Sequence, residues 1–259
     1  ALLLGNTVIL KPSERAAGVA ALYTEAMAAA GLPNGVFNLV QGDSRSGATL
    51  TQDERVDGLL FTGSTRVGKM ILAATHHQPN KLVSLEMGGK NAALVHHDAN
   101  LNQAAKELLN AAYITCGQRC TATSQAFVHE SRIEELASLP TNALPRLSVG
   151  DPFDDATFMG PIIDQAAKTR LLELNQQASN ARVKTLHEGK SLGDLGCYLT
   201  PALRIGEWQE HDYFTQEHFG PDLVLIPINN DQEGIRRINS LDYGLAAAVF
   251  CQDQERFDN

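Results

Sequence analysis

No apolar run in the 259 residues approaches the roughly 20 that a membrane-spanning helix needs. The apolar start at residues 1–4 has no basic flank and no cleavage site, so it does not read as a secretory leader. Positive charge is scarce: 21 Lys and Arg face 30 Asp and Glu, a net charge of −9. Binding phosphate chains takes clustered Lys and Arg, so nucleic acid and anionic membranes are excluded as partners. Cysteine is scarce too. Four of them, at 116, 120, 197 and 251, make no disulfide framework and predict a reducing, cytoplasmic setting. No Cys or His cluster stands at ligand spacing, which argues against zinc. The pairs His76-His77 and His96-His97 are sequence neighbours, whose side chains point apart in a strand or helix, so they read as surface or core residues. Internal repeats are absent, and the alanines at 26–30 are the one biased tract.

What is present is a regular alternation. The composition, 43% apolar and 20% charged, suits a soluble globular protein with a real core. Apolar runs at 8–10, 36–40, 56–61, 81–85, 91–96, 124–129, 222–228 and 246–251 predict strands. Helices are expected from the Ser13 cap to about Ala30, and over 66–75, 101–115, 164–178 and 232–239, with a turn-rich connector at 151–155. Strands alternating with helices at this spacing predict an α/β fold of doubly wound parallel sheets. Gly88-Gly89 marks the boundary between a domain of residues 1–87 and one of residues 88–259. The start inside an apolar strand approach, and the end at 256–259 without a cap or tail signal, read as an internal segment of a longer polypeptide, truncated at both ends.

Chemistry concentrates at two places. Cys120 in Gly117-Gln118-Arg119-Cys120-Thr121 is a thiol among small and polar residues, where a ligand can approach the backbone, and it suits a covalent nucleophile. Glu86, in Leu85-Glu86-Met87-Gly88-Gly89-Lys90, ends an apolar strand before two glycines and suits a general base. A buried structural cysteine is the commonest alternative for Cys120, and Cys116 one turn earlier leaves a C-x₃-C disulfide open. The segment 63–70 nearly fits the P-loop pattern, but Met70 replaces the hydroxyl that would bind Mg²⁺, and it is not G-x-G-x-x-G either. What survives is a helix N-terminus that can offer N–H groups to a pyrophosphate.

Six segments in order resemble the aldehyde dehydrogenase superfamily: 5–14, with Lys11-Pro12-Ser13-Glu14; Gly63-Ser64-Thr65-Arg66-Val67-Gly68; Glu86-Met87-Gly88-Gly89-Lys90; 117–121; Glu217-His218-Phe219-Gly220-Pro221; and Tyr243-Gly244-Leu245-Ala246-Ala247. Gly150-Asp151-Pro152 with Met159-Gly160-Pro161 is similar to the family's connector. The resemblance implies an NAD site built from Lys11 and Glu14 at the adenosine ribose, Gly63, Ser64 and Gly68 at the pyrophosphate, Glu217 at the nicotinamide ribose and Phe219 near its ring. A carboxylate at Glu14 repels a 2′-phosphate, which implies NAD over NADP. Without the resemblance, Lys11 and Glu14 read as solvated residues at a helix start.

The implied reaction is oxidation of an aldehyde to a carboxylic acid through a thiohemiacetal and a thioester on Cys120, with Glu86 activating water. The wording of 86–90 and 117–121 looks most like the succinylglutamate-semialdehyde branch, which implies a place in arginine catabolism. The full-length parent is expected to be a homodimer or homotetramer in the cytoplasm, with no metal. The family's asparagine oxyanion donor has no counterpart before Gly5, so the isolated chain is expected to be inactive. Two rivals stand beside this reading: a cysteine acyltransferase pairing Cys120 with a histidine, and a remnant that keeps the fold without turnover.

Overall fold

Apolar runs joined by capped helices fold, in the computed structural model, into two units, Ala1–Met87 and Gly88–Asn259. The structure describes residues 1–193 and 196–255, so the chain end at 256–259 lies outside the described residues.

The first unit runs β1 (Val8–Leu10), α1 (Ala17–Ala29), β2 (Phe37–Leu39), α2 (Ser44–Gln52), β3 (Gly58–Thr62), α3 (Thr65–Thr75) and β4 (Leu82–Glu86). β1 pairs with β2 and β3 with β4, both parallel, so the layer is recorded as two strand pairs rather than one continuous sheet. Ser13 does cap, but its hydroxyl accepts from the Arg15 N–H of a short 3-10 turn, Glu14–Ala16, and α1 follows that turn. Ala30 and then Gly31, at φ +82°, end α1, as the glycine's freedom in the left-handed region allows. The sequence reading missed α2, whose first turn is polar. Its signal is the cap, Asp43, whose carboxylate accepts from Arg45 N–H at 2.9 Å.

The second unit runs β5 (Asn91–Val95), α4 (Leu101–Tyr113), β6 (Thr123–His129), α5 (Ile133–Ala143), α6 (Gln165–Asn180), β7 (Lys184–His187), β8 (Ala202–Ile205), α7 (Asp212–Thr215), β9 (Asp222–Ile228), α8 (Asp231–Asn239) and β10 (Ala247–Phe250). The sheet order is β10-β5-β6-β9-β8-β7. All neighbours are parallel except the β7–β8 pair, an antiparallel edge that the expected all-parallel sheet did not include. Strand side chains alternate between faces. Ala93, Val95, Ala126, Val128, Leu223 and Leu225 therefore pack in one core with Ala104, Leu108 and Leu136 of α4 and α5. Ala92, Leu94, Phe127, Val224 and Ile226 pack in a second core with Ala178 of α6 and Ile238 of α8. Helices on both faces make the unit doubly wound.

A buried ion pair joins β8 to β9 in this sheet. Arg204 on β8 is 1% exposed, and its Nε lies 2.9 Å from Asp222 Oδ2. It also donates to Thr185 Oγ1 at 2.8 Å and Asn175 Oδ1 at 2.7 Å. The other carboxylate oxygen accepts from Tyr213 Oη at 2.6 Å. A buried ion pair is tolerated when its remaining hydrogen bonds are made, and breaking one side leaves a naked charge. Asp222→Ala is expected to cost about 3–5 kcal/mol, and Arg204→Met together with Asp222→Leu to recover most of it. Urea unfolding followed by the fluorescence of Trp208, the chain's one tryptophan, measures this in the second unit.

Candidate functional site

In the first unit the site residues gather at the carboxyl ends of parallel strands, where open α/β sheets collect ligands. Lys11 follows β1, Gly63 and Ser64 follow β3, and Glu86 ends β4. Glu86 pairs with Thr62, and its carbonyl accepts from Gly63 N–H at 3.0 Å, so the glutamate and the glycine turn are neighbours. Motif spacing gave no sign of that. Ser64 caps α3, accepting from Val67 N–H at 3.4 Å. Gly68 is buried, and a Cβ there would lie 2.3 Å from Met87 Sδ, so its missing side chain is used for packing helix on strand. Lys11 Nζ donates to the carbonyls of Pro12 at 2.7 Å and Gly42 at 2.8 Å, which uses two of its three donors. Glu14 is exposed in the 3-10 turn.

The second unit does the opposite: its site residues stand before their strands. Gly88 and Gly89 precede β5, Cys120 precedes β6, and Glu217 to Gly220 precede β9. Parallel pairing of β5 with β6 and of β6 with β9 puts all three segments at one end of the sheet. A small pocket there is lined by Gly89, Gly117, Arg119, Thr123, Glu217 and Phe219.

Cys120 is half-buried on a loop shaped by two left-handed residues, Cys116 at φ +55° and Gly117 at φ +61°. A Cβ at Gly117 would lie 2.1 Å from the Gly220 carbonyl oxygen, so only glycine fits where the two loops meet. Cys116 is buried, and its thiol donates to the Gly160 carbonyl at 3.1 Å; burial pushes it up to about 11. Asn91 donates from Nδ2 to the carbonyls of Cys120 at 2.7 Å and Ala122 at 3.0 Å.

The Glu217 carboxylate accepts from Gly89 N–H at 3.1 Å, and a Cβ at Gly88 would sit 2.1 Å from its Oε2. Burial raises its pKa above the ordinary glutamate value, against the pull of that N–H, of Arg170 and of Lys90. Lys90 is buried and donates to the Tyr213 carbonyl at 3.0 Å, with His218 Nε2 at 3.1 Å. Burial lowers its ammonium to about 7 despite attraction to Asp222 and Glu217. Burial, then the neighbouring Lys90 charge, holds His218 well below its ordinary value, so the ring is neutral and can accept from Lys90. Arg170 on α6 donates to the His218 carbonyl at 2.6 Å. Phe219 stands at φ +50° with 42% exposure, an aromatic face held outward on a strained backbone.

Residues 1–259 match the Aldehyde dehydrogenase family along their whole length. The chain belongs to the aldehyde dehydrogenase family. Human retinal dehydrogenase 2 is 37% identical over 98% of this chain and 49% of its own length. Methylmalonate-semialdehyde dehydrogenase from Oceanimonas doudoroffii superposes with a TM-score of 0.94 at 28% identity, covering 98% of this chain and 53% of its own. A putative methylmalonate-semialdehyde dehydrogenase from Sinorhizobium meliloti, solved in complex with NAD, gives 0.94 at 28% identity over 98% and 52%. The chain thus spans about half the length of the relatives it matches.

Family motifs named Cys120, Glu217 and Phe219, and the structure brings these three to one end of the second unit's sheet. They did not name Lys90, Asn91, Arg170 or His218 as parts of the site, because each acts on a partner distant in sequence. Some local readings change as well. The rings of His96 and His97 lie 3.9 Å apart rather than pointing away, since both residues fall past the end of β5, where strand alternation stops. The His96 ring nitrogens lie 2.7 Å from the Asp98 carboxylate and 3.3 Å from that of Asp231. None of the four cysteines is in a disulfide. Among the described residues no group of three or more His, Cys, Asp or Glu side chains is placed to hold a metal ion.

Lys90 makes stability depend on pH. Unfolded, the lysine keeps its proton to about pH 10.4, whereas folded it loses it near 7. Over that window unfolding takes up a proton, so stability rises with pH. Between about pH 7 and 8, below the unfolded-state titration of Cys116 and the tyrosines, the urea midpoint of Trp208 fluorescence is expected to climb, and Lys90→Met to flatten the slope.

Proposed function

We propose that the protein carrying this chain oxidises an aldehyde to a carboxylic acid with NAD, using Cys120 as nucleophile and Glu86 as base. Family membership supports the reaction class, the cradle around Glu217 beside the Cys120 loop is the observation that supports a cofactor contact there, and Glu86 takes its role from its motif.

The residues present fit a dinucleotide. In the first unit α3 offers N–H groups behind Gly63 and Ser64, Lys11 keeps one donor for a ribose hydroxyl, and Glu14 supplies an acceptor that disfavours a 2′-phosphate. In the second unit Gly88 leaves room for the Glu217 carboxylate, which would accept from the other ribose, while Phe219 would lie against the nicotinamide. Bound NAD supplies a hydride acceptor. The Cys120 thiolate adds to the aldehyde carbonyl, and the Cys120 backbone N–H steadies the oxyanion. A thiolate is needed because a neutral thiol is a poor nucleophile. Once the thioester stands on Cys120, Glu86 takes a proton from water as it attacks, releasing the acid and the thiol.

Within the class, succinylglutamate semialdehyde is the proposed substrate, on the wording of 86–90 and 117–121; the relatives described above are named for retinal and methylmalonate semialdehyde. A cytoplasmic homodimer or homotetramer active in arginine breakdown completes the proposal.

The roles separate kinetically in the full-length protein. Cys120→Ser is expected to abolish turnover while NAD affinity stays near its starting value. Glu86→Gln is expected to slow steady turnover by roughly 10²–10⁴-fold yet keep an NADH burst near one per site, because hydride transfer precedes water attack. Loss of the burst together with turnover would move Glu86 to thiol activation, and NADH formation across an aldehyde panel tests the substrate.

A further inference from the structure

Segment 88–91 touches both site loops of the second unit, and each contact is made by a different residue. Asn91 is 4% exposed, and both hydrogens of its amide group are directed at the Cys120 loop, to the carbonyls of Cys120 at 2.7 Å and Ala122 at 3.0 Å. Its Oδ1 accepts from Ala246 N–H at 3.1 Å, which orients the amide. Gly89 makes room for it: a Cβ there would lie 2.5 Å from Asn91 Oδ1. Lys90, 3% exposed, points to the other loop, donating to the Tyr213 carbonyl at 3.0 Å and meeting His218 Nε2 at 3.1 Å. Buried polar groups held by two or three such contacts have few low-energy geometries, because a shift strands a donor away from water.

We propose that Lys90 and Asn91 are two positioning residues with separate roles: Asn91 sets the Cys120 loop, and Lys90 sets the Glu217 loop. The proposal rests on the reading of Cys120 as nucleophile and Glu217 as cofactor contact, and neither residue touches substrate or cofactor. Adjacent residues at a strand start face opposite ways, so a single backbone segment holds both loops in register without joining their side chains.

The test uses the full-length protein with Asn91→Ala and Lys90→Met. Three readouts are taken: the rate of Cys120 alkylation by iodoacetamide, followed on its peptide by mass spectrometry; amide hydrogen exchange at 119–123 and 214–220; and the dissociation constant of NAD. Asn91→Ala is expected to change the alkylation rate by about tenfold, the scale of one buried hydrogen bond, and to speed exchange at 119–123 alone. Lys90→Met is expected to weaken NAD by about tenfold and speed exchange at 214–220 alone, with alkylation unchanged. A merely structural role would move both loops in both variants, and that result, or no change in either loop, overturns the proposal. Where a variant does not fold, Asn91→Asp, which keeps the Ala246 contact and loses both donations, or Lys90→Gln replaces it with the same expectations. Exchange and alkylation need no cofactor, so an unmutated protein that fails to bind NAD would refute the functional reading while the positioning roles are still decided.

Discussion

A line of buried polar groups runs through the second unit from Lys90 to Arg204, and the Glu217 loop hangs from it. Lys90 meets His218 and the Tyr213 carbonyl, Tyr213 donates to Asp222, and Asp222 pairs with Arg204, which reaches Thr185 on β7 and Asn175 on α6. Lys90, His218, Tyr213, Asp222 and Arg204 are each almost wholly removed from water, where an unmet donor or charge is costly. The line therefore fixes the starts of β5 and β9, the middle of β8 and the side of α6 together. Its cost is borne by Lys90, whose proton is held weakly, and its return is a rigid seat for Glu217 and Phe219.

Glycines complete the seat by what they leave out. Gly88 leaves space for the Glu217 carboxylate, Gly89 for the Asn91 amide, and Gly117 for the Gly220 carbonyl. Gly68 does the same in the first unit for Met87, letting α3 lie close to β4. Motif glycines are often read as approaches for a ligand's phosphate. Here all four are filled by the protein's own atoms, and the one at Gly117 closes one loop onto another.

The two units place their chemistry at opposite strand ends. The first follows the usual rule, with Lys11, Gly63 and Glu86 at carboxyl ends. The second sets Cys120 and Glu217 before β6 and β9. Turns that enter strands expose N–H groups toward the site, as Gly89 N–H does to Glu217, and that favours anionic partners such as carboxylates and thiolates.

The alternation of apolar runs with capped helices was legible from the residues, because burial on both faces of a parallel sheet requires near-continuous Val, Leu, Ile and Ala in strands such as Asn91–Val95 and Asp222–Ile228. So was the family, since Cys120 and Glu217 lie in short stretches whose chemistry is local. Weakly patterned elements escaped: α2 has a polar first turn, α5 contains Pro140, and β7 forms an edge pair with β8. The roles of Lys90, Asn91, Arg170 and His218 were decided only by tertiary structure. Each binds a partner about 30 to 130 residues away, as Lys90 does with His218, and no local period or propensity encodes where a strand 128 positions later will start.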